Sequence, residues 1–429
     1  MALVQVVFAS FSPVSMTAVD PKTLPVTTDL ARQLRAHVDE LASPKLRGRK
    51  PGTEGNRAAA AYLEARFREV GLHPLASLGG YRQPISDELG DNVIGVRPAQ
   101  AGTSARWLLI GAHYDHLGGN YLGADDNASA LAILIETARS LPPLPTHPVL
   151  FVAFNAEEPP YIRTEQMGSQ HFVDHLPAEI GSPSDIQAVV IMDLMGGVHW
   201  APLQNVLFAA GAEKSPALYR RLLETMGAAD RETLDVRRET LGEMHKGVGP
   251  SSPSSRFTSP GSRLTVLPVG MHLVEEIPLM GQVAFSDYDA FRNRSVPFLF
   301  LSAGRTPRYH QPTDLPDTLH YERMAATVPW LRDLIERLDQ DREPYRFDPT
   351  RIEFADEVAT FRPLVEQAAE WGTRIPGTSP ISLWKLKRDR DWLARLDPAA
   401  PRPEDVTRLE RLSLRMQCLL TDLPVCFLL

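Results

Sequence analysis

The sequence predicts a layered α/β domain carrying a helical appendage at its C-terminal end. Three observations carry this reading. Short, strongly apolar runs recur along the first 300 residues, and helix-periodic segments separate several of them. Many of the runs are continuously apolar instead of alternating, as strands buried on both faces require. With 429 residues, of which 43% are hydrophobic, the chain also has ample material to cover a central sheet with helices.

Taken in order, Leu30 to Leu41 places apolar residues at helical spacing, and Asn56 to Val70 does the same with four alanines from Ala58 to Ala61. Between them, Leu46 to Gly55 is rich in turn formers and reads as a loop. Strand-like runs follow at Asn92–Val96, Trp107–Ile110, Val149–Phe154, Ala188–Met192, Val206–Ala209 and Pro297–Leu301. Helical patterns cover Asn127 to Leu141 and Ser215 to Met226. From Arg237 to Pro278 the pattern weakens, Gly249 to Ser255 is a loop by composition, and the stretch 235–285 reads as an insertion or lid. Beyond Leu338 prolines break short helical stretches such as Asp356–Gly372 and Asp405–Leu420. The expected organisation is an N-terminal tail over 1–28, the main domain over 29–340 and a helical extension over 341–429. No internal repeat is visible.

Charge and cysteine content narrow the function classes. The net charge of -8 and pI near 5.9 lack the basic balance of a nucleic-acid partner, so none is expected. The mixed-sign run Lys385 to Asp391 reads as a solvated helix face. Two cysteines, Cys418 and Cys426, exclude a disulfide framework and a cysteine-rich zinc site, and leave one pairing open. No apolar run reaches the roughly 18 residues of a transmembrane helix. The apolar opening Met1 to Ser10 has no Lys or Arg before it, unlike a secretory signal. Compartment, cytoplasmic or exported, and oligomeric state stay open.

The chemistry lies where histidines and carboxylates fall. His113-Tyr-Asp115-His116 follows the run from Trp107, and Asp125-Asp126-Asn127 opens the next helical segment. Glu157-Glu158 comes after Val149–Phe154, Asp193 directly after Val189–Met192, and Tyr309-His310-Gln-Pro-Thr-Asp314 in the loop beyond Pro297–Leu301. Ligands of open α/β sheets bind beyond the carboxyl ends of the strands, so these five clusters are expected to converge. In extended chain His113 and Asp115 share a face, and a neighbouring carboxylate suits the second ring nitrogen of a metal-binding histidine. Two adjacent glutamates repel each other unless a cation or a proton intervenes. Together the clusters supply the nitrogen and oxygen ligands zinc accepts, in a number that suits two metals better than one. The other histidines, His116 among them, read as structural or surface residues.

These motifs resemble those of the co-catalytic zinc aminopeptidases, the family of bacterial leucyl aminopeptidase and aminopeptidase Y. Its fold is shared by glutamate carboxypeptidase II, the transferrin receptor and glutaminyl cyclases. The resemblance runs from about Leu46 to Leu338 and includes Arg49 to Gly55, Met167-Gly168-Ser169 and Ser286-Asp287. It implies a three-layer domain whose central, mixed and mostly parallel sheet is flanked by helices. It also implies two zinc ions. Asp126 would bridge them, His113 and Asp193 would complete one site, and Glu158 and His310 the other. Glu157 would be the general base, Asp115 would orient His113, Asp287 would stand near the site, and Tyr309 would help stabilise the tetrahedral intermediate. The activity implied is release of N-terminal residues from a peptide or aminoacyl substrate by a hydroxide bridging two zinc ions.

Other activities share this metal core. A carboxypeptidase or amidohydrolase would use the same ligands, a glutaminyl cyclase characteristically lacks the histidine that His113 supplies, and an inert receptor-like member would have lost ligands. The chain departs from the family at Tyr288, where His is frequent, and at Pro159 to Gln166, which lengthens the loop after the paired glutamates. Gly-x-Ser-x-Gly, phosphate-loop and His-Glu-x-x-His motifs are all missing.

Overall fold

A computed structural model describes residues 26–100, 106–198, 200, 203–226, 264–277, 281–372 and 380–421. Its centre is an eight-stranded mixed sheet in the order β1-β2-β4-β3-β5-β10-β6-β7. The strands are β1 Arg82–Ser86, β2 Gly90–Arg97, β3 Trp107–His113, β4 Val149–Phe154, β5 Ile186–Met192, β6 Val206–Ala210, β7 Thr265–Val269 and β10 Phe298–Ser302. A separate two-stranded ribbon joins β8 Glu276–Ile277 to β9 Gly281–Gln282. The pairs β3–β4, β3–β5, β5–β10 and β6–β7 are parallel, while β1–β2, β2–β4 and β6–β10 are antiparallel. The four strands β4, β3, β5 and β10 therefore run the same way at the middle of the sheet.

Strand periodicity divides the core between the two faces. Leu108, Ile110, Val149, Phe151, Val190 and Leu299 pack with helices Asp29–Leu41, Glu54–Glu69, Ala130–Ser140, Pro216–Thr225 and Tyr321–Leu338. Leu109, Leu150, Val152, Val189, Ile191 and Phe298 point the other way, toward Phe172 of helix Gly168–Asp174 and Phe291 of helix Tyr288–Arg292. This is the expected three-layer α/β arrangement. A third apolar cluster joins Val206, Leu267 and Val269 at the β6–β7 edge to Val358, Leu386 and Leu409 of the C-terminal helices Phe354–Trp371, Pro380–Arg395 and Pro403–Thr421.

Two expectations need adjustment. The helix expected from Asn127 starts at Ala130, because Asp126 (φ -107°, ψ 87°) and Asn127 (φ -133°, ψ 33°) leave helical geometry. Tertiary hydrogen bonds hold them there: Asp314 accepts from the backbone N–H groups of Asp125 and Asp126, and the Asn127 amide donates to the Met192 carbonyl. Within the stretch 235–285, Thr265–Val269 is an edge strand of the main sheet, and residues 227–263 and 278–280 lie outside the described residues. The tail over 1–25 and Cys426 also lie outside them. Among the described residues no helix is long and apolar enough to cross a membrane.

Candidate metal centre

The parallel direction of β3, β4, β5 and β10 brings their carboxyl ends to one edge of the sheet. His113 is the last residue of β3, Glu157 and Glu158 follow β4, Asp193 follows β5, and the loop after β10 carries Tyr309 and His310. Asp126 reaches the same place from the irregular turn Ala124–Ser129.

Asp126 stands at the centre. Its Oδ1 lies 3.2 Å from His113 Nε2 and its Oδ2 lies 3.3 Å from His310 Nε2. Asp193 Oδ1 is 3.6 Å from His113 Nε2, and Glu158 Oε2 is 3.0 Å from His310 Nε2. The carboxylate thus separates two nests, one with His113 and Asp193, the other with Glu158 and His310. In the groups His113–Asp126–Asp193 and His116–Asp126–Glu158, the donor atoms lie within 4.8 Å of one another. Among the described residues, His113 Nε2, Asp126 Oδ2, Asp193 Oδ1 and His310 Nε2 are buried atoms without a hydrogen-bond partner. Buried polar atoms are almost always partnered, so their convergence needs an explanation. A divalent cation in each nest would satisfy them with the nitrogen and oxygen ligands zinc prefers, and the residues fit that metal.

His116, read from sequence as structural, is part of this cluster. Its Nδ1 is 2.6 Å from Glu158 Oε1, and the ring is fully buried, edge-on to His310. The sequence signal was its position directly after Asp115. Alternation along an extended chain would put His116 on the opposite face from His113, but β3 ends at His113 and the rule does not apply beyond it. Gly123 makes room for the ring. It sits at φ 62°, and a Cβ there would lie 2.7 Å from the imidazole and 2.2 Å from the Asp126 carbonyl oxygen.

Asp115 contacts more than His113. The His113 Nδ1 hydrogen bond goes to the Asp115 main-chain oxygen at 3.2 Å, with the carboxylate at 3.7 Å. That carboxylate accepts from the backbone N–H groups of Glu157 (3.0 Å) and Glu158 (3.1 Å). It therefore fixes the segment carrying both glutamates. Three residues of the site loops adopt left-handed φ without being glycine: Ala156 (56°), Leu194 (56°) and His310 (55°). Each adjoins or is a member of the cluster, where such strain is commonly concentrated.

The electrostatics follow from burial and crowding. Burial, with Glu158, Asp193 and Asp287 nearby, pushes the Glu157 carboxyl well above the usual range despite His113. Burial raises Asp193 as well, and lifts Asp287 to about 7. For Asp126 burial acts upward too, yet the imidazoles of His116, His113 and His310 hold its carboxyl well below the usual range. Burial opposes the charged form of His310, but Asp126 and Glu158 outweigh it and raise the imidazole to about 10. Glu157 Oε2 lies 3.8 Å from His113 Nε2, and its Oε1 has no hydrogen-bond partner among the described residues. A carboxyl group near the nests whose affinity for protons is raised is suited to accepting and returning one. The Tyr309 ring stacks on His310 with centroids 3.8 Å apart.

Two relatives, one solved structure and one protein family resemble this chain. The uncharacterized protein YfbL of Escherichia coli is 27% identical over 234 residues, 52% of this chain and 64% of that protein. Aminopeptidase YwaD of Bacillus subtilis is 33% identical over 93 residues, 21% of this chain and 19% of that protein. The chain thus spans less than two thirds of the length of either relative. The LapA aminopeptidase of Legionella pneumophila superposes with a TM-score of 0.49 at 16% identity, covering 78% of this chain and 79% of that one. Over residues 92–244, the stretch that carries His113, Asp115, Asp126, Glu157, Glu158 and Asp193, the chain matches the model of peptidase family M28.

Proposed function

We propose that the protein is a zinc-dependent aminopeptidase that holds two zinc ions and releases N-terminal residues from peptides. The observation that carries this reading is the single Asp126 carboxylate lying between the imidazoles of His113 and His310, with one oxygen toward each. The match to a peptidase family over this segment supports the same reaction class. His113 and Asp193 would hold one ion and Glu158 and His310 the other, with Asp126 placed to serve both. When bound, two zinc ions supply Lewis-acid activation of water and of the scissile carbonyl near neutral pH.

Glu157 takes a proton from the attacking water and returns it to the leaving amine, a role that contributes roughly 10²- to 10⁴-fold. Asp115 holds Glu157 in place through its backbone N–H. The Tyr309 hydroxyl donates to the oxygen on which charge develops. The acidic lining attracts the cationic α-amine of a free peptide N-terminus.

Elemental analysis of zinc-loaded protein and a matched substrate panel test the reading. About two zinc ions per chain and far faster cleavage of aminoacyl substrates than of their N-acetylated versions are expected. One ion or none would end the two-metal assignment. Equal rates on both versions, or release of C-terminal residues, would end the aminopeptidase assignment.

A further inference from the structure

The loop that delivers His310 also delivers a cation that no acid pairs with among the described residues. Arg305 is half-buried five residues upstream, with its guanidinium carbon 4.2 Å from the centre of the Tyr309 ring and 5.7 Å from that of Phe285. The Tyr309 ring in turn stacks on His310. Arg305 is thus one aromatic ring away from a residue assigned to the metal centre. Among the described residues no carboxylate pairs with it and no hydrogen bond engages it, whereas its neighbour Arg308 reaches the Val198 carbonyl. Aromatic contacts restrain a guanidinium through its face and leave its edge, with five N–H donors in a planar fork, available. That fork matches a carboxylate in two parallel hydrogen bonds. Among the described residues the acids of this site are gathered at the metal nests and none faces this fork, which leaves it open to a carboxylate brought by a ligand.

We propose that Arg305 receives a carboxylate of the substrate and makes the site selective for peptides bearing an anionic group next to the scissile bond. An extended chain advances about 3.3 Å per residue, which confines the group to a neighbouring residue. Two sources offer the same chemistry: the side chain of an N-terminal Glu or Asp, and the terminal carboxylate of a dipeptide. The proposal rests on the aminopeptidase reading above and specifies its substrate class.

Two matched pairs of substrates separate these sources. Glutamyl- and glutaminyl-p-nitroanilide differ in side-chain charge at nearly constant shape, and a dipeptide differs from its amide only at the C-terminus. For at least one pair, kcat/KM of the zinc-loaded enzyme should favour the carboxylate by about 10- to 100-fold, the size expected of a charge-assisted contact. Arg305→Gln should bring that ratio close to one, and Arg305→Lys, which keeps charge but not the fork, should leave an intermediate value. The pair that responds identifies the source. Ratios near one for both pairs in the wild type, or a ratio indifferent to both variants, would overturn the proposal. If no aminoacyl substrate is cleaved, the aminopeptidase reading fails separately. Titration calorimetry of the zinc-loaded wild type with free glutamate and free glutamine then decides, tighter binding of glutamate supporting the role of Arg305 and equal binding refuting it.

Discussion

Replacing Asp115 by Asn tests how the metal centre is held. The carboxylate accepts from two backbone N–H groups, those of Glu157 and Glu158, at 3.0 and 3.1 Å. Asparagine keeps the shape but offers one acceptor, so one N–H would face an amide NH₂ group. Hydrogen bonds to charged groups contribute about 1.5–3 kcal/mol each, and the lost one would leave a buried donor unsatisfied. A loss of about 1.5–3 kcal/mol is therefore expected, lowering the melting temperature by on the order of 5 °C. Because the same contact positions Glu158, zinc affinity should fall by about 10- to 100-fold, the range for partners that orient metal ligands. Thermal unfolding with and without zinc gives the first quantity, and competition with a chelator of known affinity gives the second. A folded Asp115→Asn protein with unchanged zinc affinity and turnover would refute the reasoning. Lower stability with unchanged affinity would confine Asp115 to a scaffolding role.

Three further outcomes are expected. Glu157→Gln should keep the zinc content while turnover falls by roughly 10² or more, and near-normal turnover would assign the base elsewhere. Asp126→Ala should disturb both ions at once in elemental analysis. Refilling chelated wild-type protein should raise its unfolding free energy by about 2.7 kcal/mol at a free zinc concentration of 100 Kd, and the variant should forfeit much of that gain. The third concerns His272, which bonds Glu410 through Nδ1 and Glu357 through Nε2, linking two C-terminal helices. Burial opposes its charge, but the two glutamates raise its pKa above the ordinary value of 6.5. Its stabilisation is thus fully present below about pH 6.5 and lost as pH rises through the higher folded value. Unfolding curves from pH 6 to 9 should show this decline in the wild type and a flatter profile in His272→Gln.

Most of the sheet, with the histidines and carboxylates that follow its strands, was legible because strands buried on both faces need unbroken apolar runs. The edges were not. β1 is polar and contains Pro84, and β7 contains Pro268, a residue tolerated at a sheet edge but one that argues against a strand when only sequence is read. Histidines and carboxylates at strand ends could be found by position. His116 could not, because its contact with Glu158 depends on how the chain turns after β3. The start of the helix at Ala130 was hidden for a related reason, since Asp314, nearly 190 residues away, sets the backbone at Asp125 and Asp126.

Two buried arginines explain how so many carboxylates can be concentrated without being consumed by their own neighbours. Arg49 donates to the carbonyls of Leu41, Tyr114, Leu122, Gly123 and Asp126, and Arg323 to those of Met195, Gly197 and Gln204. Burial lowers each guanidinium to about 10, so both remain charged at neutral pH. Had either paired directly with Asp126 or Asp193, it would have satisfied the oxygen proposed here for a metal. By binding carbonyls instead, the two arginines fix the loops on either side of the nests and add positive potential there. Among the described residues, Asp126 Oδ2 and Asp193 Oδ1 are left without a hydrogen-bond partner. A fully satisfied polar network would give a more stable metal-free protein. This chain trades that stability for a site whose remaining valences point at one place.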